Sequence, residues 1–319
     1  MKIFDLLSSR IKSISMWGTI AVLPVVLVAC GGDIFFRSDD CRALMDFKIL
    51  SSQISLPTNG ATITNATYVG ETDAGNTNGN YCKLMGLISP VDKTAPDIKF
   101  QVNIPKDWNQ KAVQFGGGGY NGSIPNTLAW TTLGLKNIET PLKQGYVTFA
   151  SDSGHQAPNS DDASFALNDE SLLNYGYMHI KKTRDVMVSL TKAFQGQEPR
   201  RIYFQGGSTG GREALTAAMR WPESYDGVLP NYPTANFMGL RLWGVALGRA
   251  IYDNNSAGWI PPVMVNKIAS LANSRCDSLD GVVDGLVSNM TACRAQSDKM
   301  IQELACKNGE TGYPENCLT

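Results

Sequence analysis

The sequence predicts an α/β fold: a mostly parallel, incomplete sheet covered by helices, followed by part of an inserted or appended subdomain. Three observations carry this. Short apolar runs alternate with helical periodicity between residues 98 and 220. One of those runs turns through Gly206-Gly207-Ser208-Thr209-Gly210 directly into a helical pattern. After Pro233 the texture shifts to Asn, Ser and Asp, with four cysteines and no clear strand. The chain has 319 residues, 43% hydrophobic and 18% charged, enough for a sizeable core. A net charge of -1 excludes broad attraction to nucleic acid or acidic membrane. No repeat or low-complexity tract appears.

The elements follow in order. Residues 34–81 are mixed and rich in Ser, Thr, Asn and Gly, which suggests a short antiparallel lead-in with long loops. Ile98–Ile104 alternates apolar and polar residues, as a half-buried strand does. Ala112–Phe115 and Tyr146–Ala150 are brief apolar runs bounded by Gly or Asp, the pattern of buried strands. Ile180, Met187, Leu190, Thr191 and Phe194 recur at helical spacing within Tyr175–Gln195. Arg201–Gln205 reads as a strand, and Gly210–Arg220 as a helix that stops before Pro222.

Residues 1–30 are set aside from the fold. Lys2, Arg10 and Lys12 precede an apolar run, Met16–Ala29, too short to span a bilayer comfortably. The run ends in Leu27-Val28-Ala29-Cys30-Gly31-Gly32, similar to a bacterial lipobox, so Cys30 is the expected lipidation site. The protein is then an exported lipoprotein of the outer membrane or cell surface, touching membrane only through that lipid; a plain signal, with periplasmic or secreted product, is the alternative. Residues 31–235 form the expected core and 236–319 the partial subdomain. Six further cysteines in an exported chain point to disulfides. Fifteen pairings are open to six cysteines; their grouping favours Cys41–Cys82, then Cys276–Cys293 and Cys306–Cys317. A zinc site lacks C-x-x-C spacing and a nearby His.

Ser208 is the candidate nucleophile. A sharp strand-to-helix turn exposes the serine hydroxyl, flanking glycines avoid neighbouring chain, and the helix N-terminus favours developing negative charge. The amide of Thr209 is one expected oxyanion donor. The glycine run after Phe115 is the expected source of the second, with Gly118 and Gly119 as candidates. A phosphate loop is disfavoured, because no Gly-Lys-Ser/Thr ending follows.

A hydrolytic serine needs a histidine base held by an acid, in the chain order Ser, acid, His. The two histidines, His155 and His179, both precede Ser208. His155, just after a strand, is a candidate for substrate contact; His179 reads as structural. The expectation is a C-terminally truncated chain that lacks the acid and His and is inactive alone.

In Cys276–Leu286, Asp277, Asp280 and Asp284 lie close together with Gly281 and Gly285. Carboxylates at this spacing repel unless solvated or bridged by a hard cation, and glycines permit the turn around one. The spacing is not that of an EF-hand, so calcium and a solvated acidic loop stay open on these residues alone.

Taken together, Trp108-Asn109, Gly116–Gly119, Ser151–His155, Gly206–Arg212, Trp221–Gly227 and Cys276–Leu286 resemble the tannase/feruloyl esterase family. The resemblance spans about Cys41 to Thr319. It implies an α/β-hydrolase core with a large inserted lid and hydrolysis of phenolic-acid esters, of feruloyl or galloyl type, by a serine nucleophile at Ser208. It implies a structural calcium held by Asp277, Asp280, Val282, Asp284 and Leu286, the Val and Leu through carbonyls. Its cysteine pattern agrees with the three pairings above. One departure is Gly207, where many members carry a Cys bonded to another beside the catalytic His. The rivals are a non-catalytic, calcium-stabilised surface binding module and a serine peptidase.

Overall fold

A computed structural model describes residues 38–129, 138–159, 161–307, 310 and 315–318. The expected signal segment and Cys30 lie outside them.

Eight strands form one sheet: β1 (Lys48–Ile49), β2 (Ala61–Val69), β3 (Tyr81–Ile88), β4 (Ile98–Pro105), β5 (Lys111–Phe115), β6 (Val147–Ser151), β7 (Arg201–Gly207) and β8 (Gly227–Asn231). Their order is β1-β2-β3-β4-β6-β5-β7-β8. Pairing is antiparallel from β1 through β4 to β6 and parallel from β6 through β5 and β7 to β8. The sheet is therefore mixed, which corrects the expectation of a mostly parallel one. The correction comes from the lead-in: β2 and β3 pair over their full length, and are not short pieces between long loops. Their signal was masked chemically. β2 reads Ala-Thr-Ile-Thr-Asn-Ala-Thr-Tyr-Val, largely exposed on one side, and an irregularity between Ile63 and Asn65 breaks its alternation.

The helices are α1 (Ser38–Ala43), α2 (Asp169–Leu173), α3 (His179–Gln195), α4 (Thr209–Arg220), α5 (Phe237–Ser256), α6 (Pro262–Cys276), α7 (Met290–Arg294) and α8 (Ser297–Leu304). The amphipathic stretch expected from Tyr175 starts earlier, at Asp169, and passes through a π-turn at Asn174–Met178 before α3. Asn168 caps α2 by accepting from the Ser171 amide at 2.9 Å. Gly196, at φ 74°, ends α3 in the left-handed conformation that glycine adopts without strain.

α3 packs on β4 and β6, and α4 on β7 and β8. Phe100, Val102, Ile104, Phe149, Phe204, Ile180, Met187 and Leu190 are fully buried between these layers. Each such side chain contributes about 1.5–3 kcal/mol by leaving water, so this core holds the C-terminal ends of β5 and β7 rigidly in place. β8 was missed in the sequence because it opens on Gly227 and contains Pro230. Proline is tolerated there because β8 has only β7 beside it among the described residues.

The three disulfides are Cys41–Cys82, Cys276–Cys293 and Cys306–Cys317, with Cα separations of 5.6, 5.1 and 4.8 Å. All three match the pairings favoured above. The first ties α1 to β3, and the second joins α6 to α7. Beyond β8 the described residues are helical or irregular, apart from one bridge between Ala305 and Leu318.

Candidate active site

β7 ends at Gly207 and α4 begins at Thr209, so Ser208 alone makes the turn between them. It does so at φ 57° and ψ -118°, a conformation that costs a residue with a side chain of order 1–3 kcal/mol. Surrounding bonds hold it there. The Ser208 amide donates to the Asn231 carbonyl at 3.1 Å, and its carbonyl accepts from the amides of Arg212 (3.1 Å) and Thr234 (3.2 Å). The glycines around it are required by space. A Cβ on Gly206 would come within 2.5 Å of the Gly210 backbone, and one on Gly210 within 2.8 Å of Gly116. Ser208 is part-exposed, and no described residue hydrogen-bonds its hydroxyl.

The glycine loop runs directly beside this turn. The Gly210 amide donates to the Gly117 carbonyl at 2.9 Å, and the Thr209 hydroxyl to the Gly119 carbonyl at 2.6 Å. The Gly116 amide is used by the Gln205 carbonyl (2.8 Å), and the Gly117 amide by Glu213 Oε2 (3.1 Å). The amides of Thr209 and Gly118 find no acceptor among the described residues, and the space where a Gly118 side chain would stand is open. Both are groups the sequence singled out. Gly119, at φ 58°, shapes the loop and engages Thr209 through its carbonyl.

Sequence reasoning missed Glu213. It sits one helical turn beyond Ser208 and is fully buried. Besides Gly117, it accepts from Asn121 Nδ2 at 2.6 Å, and His179 Nε2 lies 3.4 Å from its Oε1. Burial works to raise its pKa, yet the His179 contact, Arg212 and Asn121 together hold it below the usual carboxylate value. The available signal was a glutamate facing inward on a helix that follows the nucleophile. A buried charge is tolerated only when paired and hydrogen-bonded, and this one is bonded to the glycine loop.

His179 is buried, with its Nδ1 3.0 Å from Ser151 Oγ and its Nε2 turned to Glu213. His155 is buried and stacked on Phe165, with ring centroids 4.1 Å apart. Burial lowers its pKa, and neither ring nitrogen has a hydrogen-bond partner among the described residues. Neither histidine bonds to Ser208.

Over the glycine loop lies an aromatic group. Tyr120, Tyr175 and Phe237 have ring centroids 5.6–6.2 Å apart, and Tyr175 Oη donates to the Gly119 carbonyl at 3.3 Å. The π-turn has a visible consequence here. It leaves the Tyr175 and Gly176 carbonyls to accept from Arg212, at 3.4 and 3.1 Å. Arg212 in turn lies 4.9 Å from the Tyr175 ring centroid.

The acidic loop is exposed. Asp277 Oδ1 accepts from the amides of Asp284 and Gly285, Asp280 from those of Val282 and Ser288, and Asp284 Oδ1 from that of Leu286. Gly281 and Gly285 turn it at φ 95° and 81°. Among the described residues no three ligating side chains converge on one point. The donor set, carboxylates and backbone carbonyls, is of the hard-oxygen kind that calcium takes.

The family profile described as tannase and feruloyl esterase matches residues 82–319. The chain belongs to that family. Within the family, it is 63% identical over 279 residues to an uncharacterized esterase of Agrobacterium fabrum, covering 88% of this chain and 50% of that protein. It is 30% identical over 270 residues to the mono(2-hydroxyethyl) terephthalate hydrolase of Piscinibacter sakaiensis, covering 75% of this chain and 43% of that protein. The crystal structure of feruloyl esterase B from Aspergillus oryzae superposes with a TM-score of 0.69 at 22% identity, over 88% of this chain and 53% of that one. That likeness shows the α/β-hydrolase fold. The chain spans about half the length of the relatives it matches.

Proposed function

We propose that this tannase/feruloyl esterase family member hydrolyses carboxylic esters of phenolic acids, with Ser208 as nucleophile. The serine oxygen attacks the ester carbonyl, the alcohol leaves, and water then releases the acid from the acyl-enzyme. The amides of Thr209 and Gly118, with Gly119 shaping the loop, receive the oxyanion. The observation that carries this reading is the backbone of Ser208, strained at φ 57° with its hydroxyl unengaged by any described residue. Feruloyl esterases among the relatives support a phenolic acyl group. The test, made on the full-length protein, is a fluorophosphonate probe together with turnover of methyl ferulate. Labelling and turnover are both expected to vanish in Ser208→Ala; turnover that survives the substitution rejects the assignment.

We also infer that the loop 277–286, within the lid segment 236–319, takes a structural calcium ion through Asp277, Asp280 and Asp284 and the carbonyls of Val282 and Leu286. The three carboxylates and two glycine turns support this. A ligand that binds only the folded state raises the melting temperature, by an amount that grows with the logarithm of its concentration above Kd. Calcium is expected to raise Tm after chelation, and Asp277→Asn to abolish the rise. An unchanged Tm would reject the ion.

Export with a lipid on Cys30 is the corresponding proposal for location, supported by the lipobox-like residues 27–32 and the three disulfides. Fatty-acid labelling of the wild type, lost in Cys30→Ala, is the expected result.

A further inference from the structure

His179 approaches the site from a different layer of the fold than the loop and helix it serves. It opens α3 directly after the π-turn, and the next residue is pinned to the sheet, because Gln114 Nε2 on β5 donates to the Ile180 carbonyl at 3.1 Å. The imidazole stands between two partners. Its Nδ1 is 3.0 Å from Ser151 Oγ at the end of β6, and its Nε2 is 3.4 Å from Glu213 Oε1. The two side chains of the second contact are only 5% and 0% exposed. A ring lone pair aimed at a buried carboxylate would be repelled, so Nε2 carries a proton. At 3.4 Å this N–H is far for a hydrogen bond and acts on the carboxylate electrostatically, which counts in a site closed to water.

The partners of Glu213 are of two kinds. Gly117 and Asn121 belong to the glycine loop, and Arg212 to the same helix as Glu213. Of the groups that keep the carboxylate ionised, His179 alone comes from outside the loop and α4. Gly117 and Asn121 also flank Gly118, so one carboxylate sets the direction of the Gly118 amide from both sides. The loop end is not in a relaxed conformation. Asn121 and Ser153, joined through their side chains, stand at φ 62° and 73°, where a residue with a side chain must be held by its surroundings.

We propose that His179 is a positioning residue for the oxyanion donors: braced by Ser151, its imidazole fixes the Glu213 carboxylate and, through it, the Gly118 amide. This rests on the reading of Ser208 as nucleophile with Gly118 beside it. An oxyanion donor works by being in place before the charge forms, so its displacement costs rate while substrate binding is little changed.

The experiment compares two near-isosteres in the gene's full-length product. Glutamine puts its Nε2 where the imidazole Nε2 stands, and asparagine puts its Nδ2 where Nδ1 stands. Each keeps one of the ring's two contacts and drops the other, so a merely structural histidine gives similar kcat in both. Positioning predicts a split. His179→Asn is expected to lower kcat for methyl ferulate roughly ten- to hundredfold with KM within about twofold, and His179→Gln to stay within about fivefold of wild type. Equal kcat in the two folded variants, or a loss carried by KM, overturns the proposal. Should His179→Asn fail to fold, Ser151→Ala takes its place, since it frees the ring at Nδ1. Its kcat is expected to fall about two- to fivefold at constant KM, and no fall overturns the proposal. Hydrogen exchange separates this role from the nucleophile assignment, because Ser208→Ala protein needs no turnover to report it. In that background the Gly117 amide is expected to exchange at least about tenfold faster with His179→Asn than with His179→Gln. Equal exchange overturns the positioning role whatever the serine does. Should Ser208→Ala retain turnover while the exchange difference persists, the serine reading fails and the hold of His179 on the loop stands.

Discussion

The carboxylate of Glu213 lies 3.1 Å from the amide of Gly117, so the first helix after the nucleophile grips the loop that faces it. The other oxygen of the same carboxylate holds Asn121 at the far end of that loop. Replacing Glu213 by Ala strands both donors in a buried site, and unpaired buried donors are destabilising by about 1–3 kcal/mol each. The expected loss is at least about 2 kcal/mol in urea unfolding. Glu213→Gln retains one acceptor and sets its amide NH2 against the other donor. Its expected effect is a smaller stability loss with turnover reduced roughly tenfold or more, KM little changed, because the loop amides shift from the developing oxyanion. Unchanged kcat in a folded Glu213→Gln protein would contradict this.

Ser208 combines a positive φ with a side chain. Glycine adopts that conformation without strain, though it also gains freedom in the unfolded chain. Ser208→Gly is expected to be inactive yet about 1 kcal/mol more stable than Ser208→Ala. Equal thermal midpoints for the two variants would mean that the turn stores no strain.

At Gly207 a Cβ would stand 2.5 Å from the ring and hydroxyl of Tyr232. The Tyr232 ring thus occupies the room beside the position where many relatives are expected to carry a cysteine. Tyr232 is 66% exposed and can swing away, so Gly207→Ala should destabilise moderately, by about 1–3 kcal/mol. Tyr232→Ala should remove most of that penalty in the double variant. Strict additivity of the two changes would place the clash elsewhere.

Burial pushes the Asp152 carboxyl up from 3.8 to about 6, against hydrogen bonds from Gln156, Gly154 and Lys99 that favour the ion. The folded protein therefore holds this proton more tightly than the unfolded chain. Stability from the group is full below the unfolded pKa and is lost as pH rises toward about 6. The loss is at most about 3 kcal/mol at 1.36 kcal/mol per pKa unit. Asp152→Asn cannot ionise, so its stability relative to wild type should improve between pH 4 and 7. A flat difference across that range would show that Asp152 titrates normally.

Local pattern placed much of this protein. Strands β4 to β7 and helix α4 were legible because each is bounded by Gly, Pro or Asp and carries the right hydrophobic period. The turn at Ser208 was legible because only glycine tolerates the close approaches of Gly206 and Gly210. Grouping of the cysteines along the chain favoured the pairings that form. β8 was hidden by Pro230, and β2 by its exposed threonines and asparagine.

What the chain determined by itself was a serine at a strand-to-helix bend, a glycine loop upstream, and disulfide partners near in sequence. The bend and the glycine loop are set by backbone sterics within a few residues, and the disulfides close segments of modest length, with separations of 41, 17 and 11 residues. Only the tertiary structure decided that Glu213 closes on Gly117 and Asn121, that Tyr175 reaches the Gly119 carbonyl, and that Arg241 stacks on Tyr120. Those contacts join residues far apart in the chain. Their existence depends on how the layers pack, because a polar group finds its partner, or is left without one, only once water has been excluded around it.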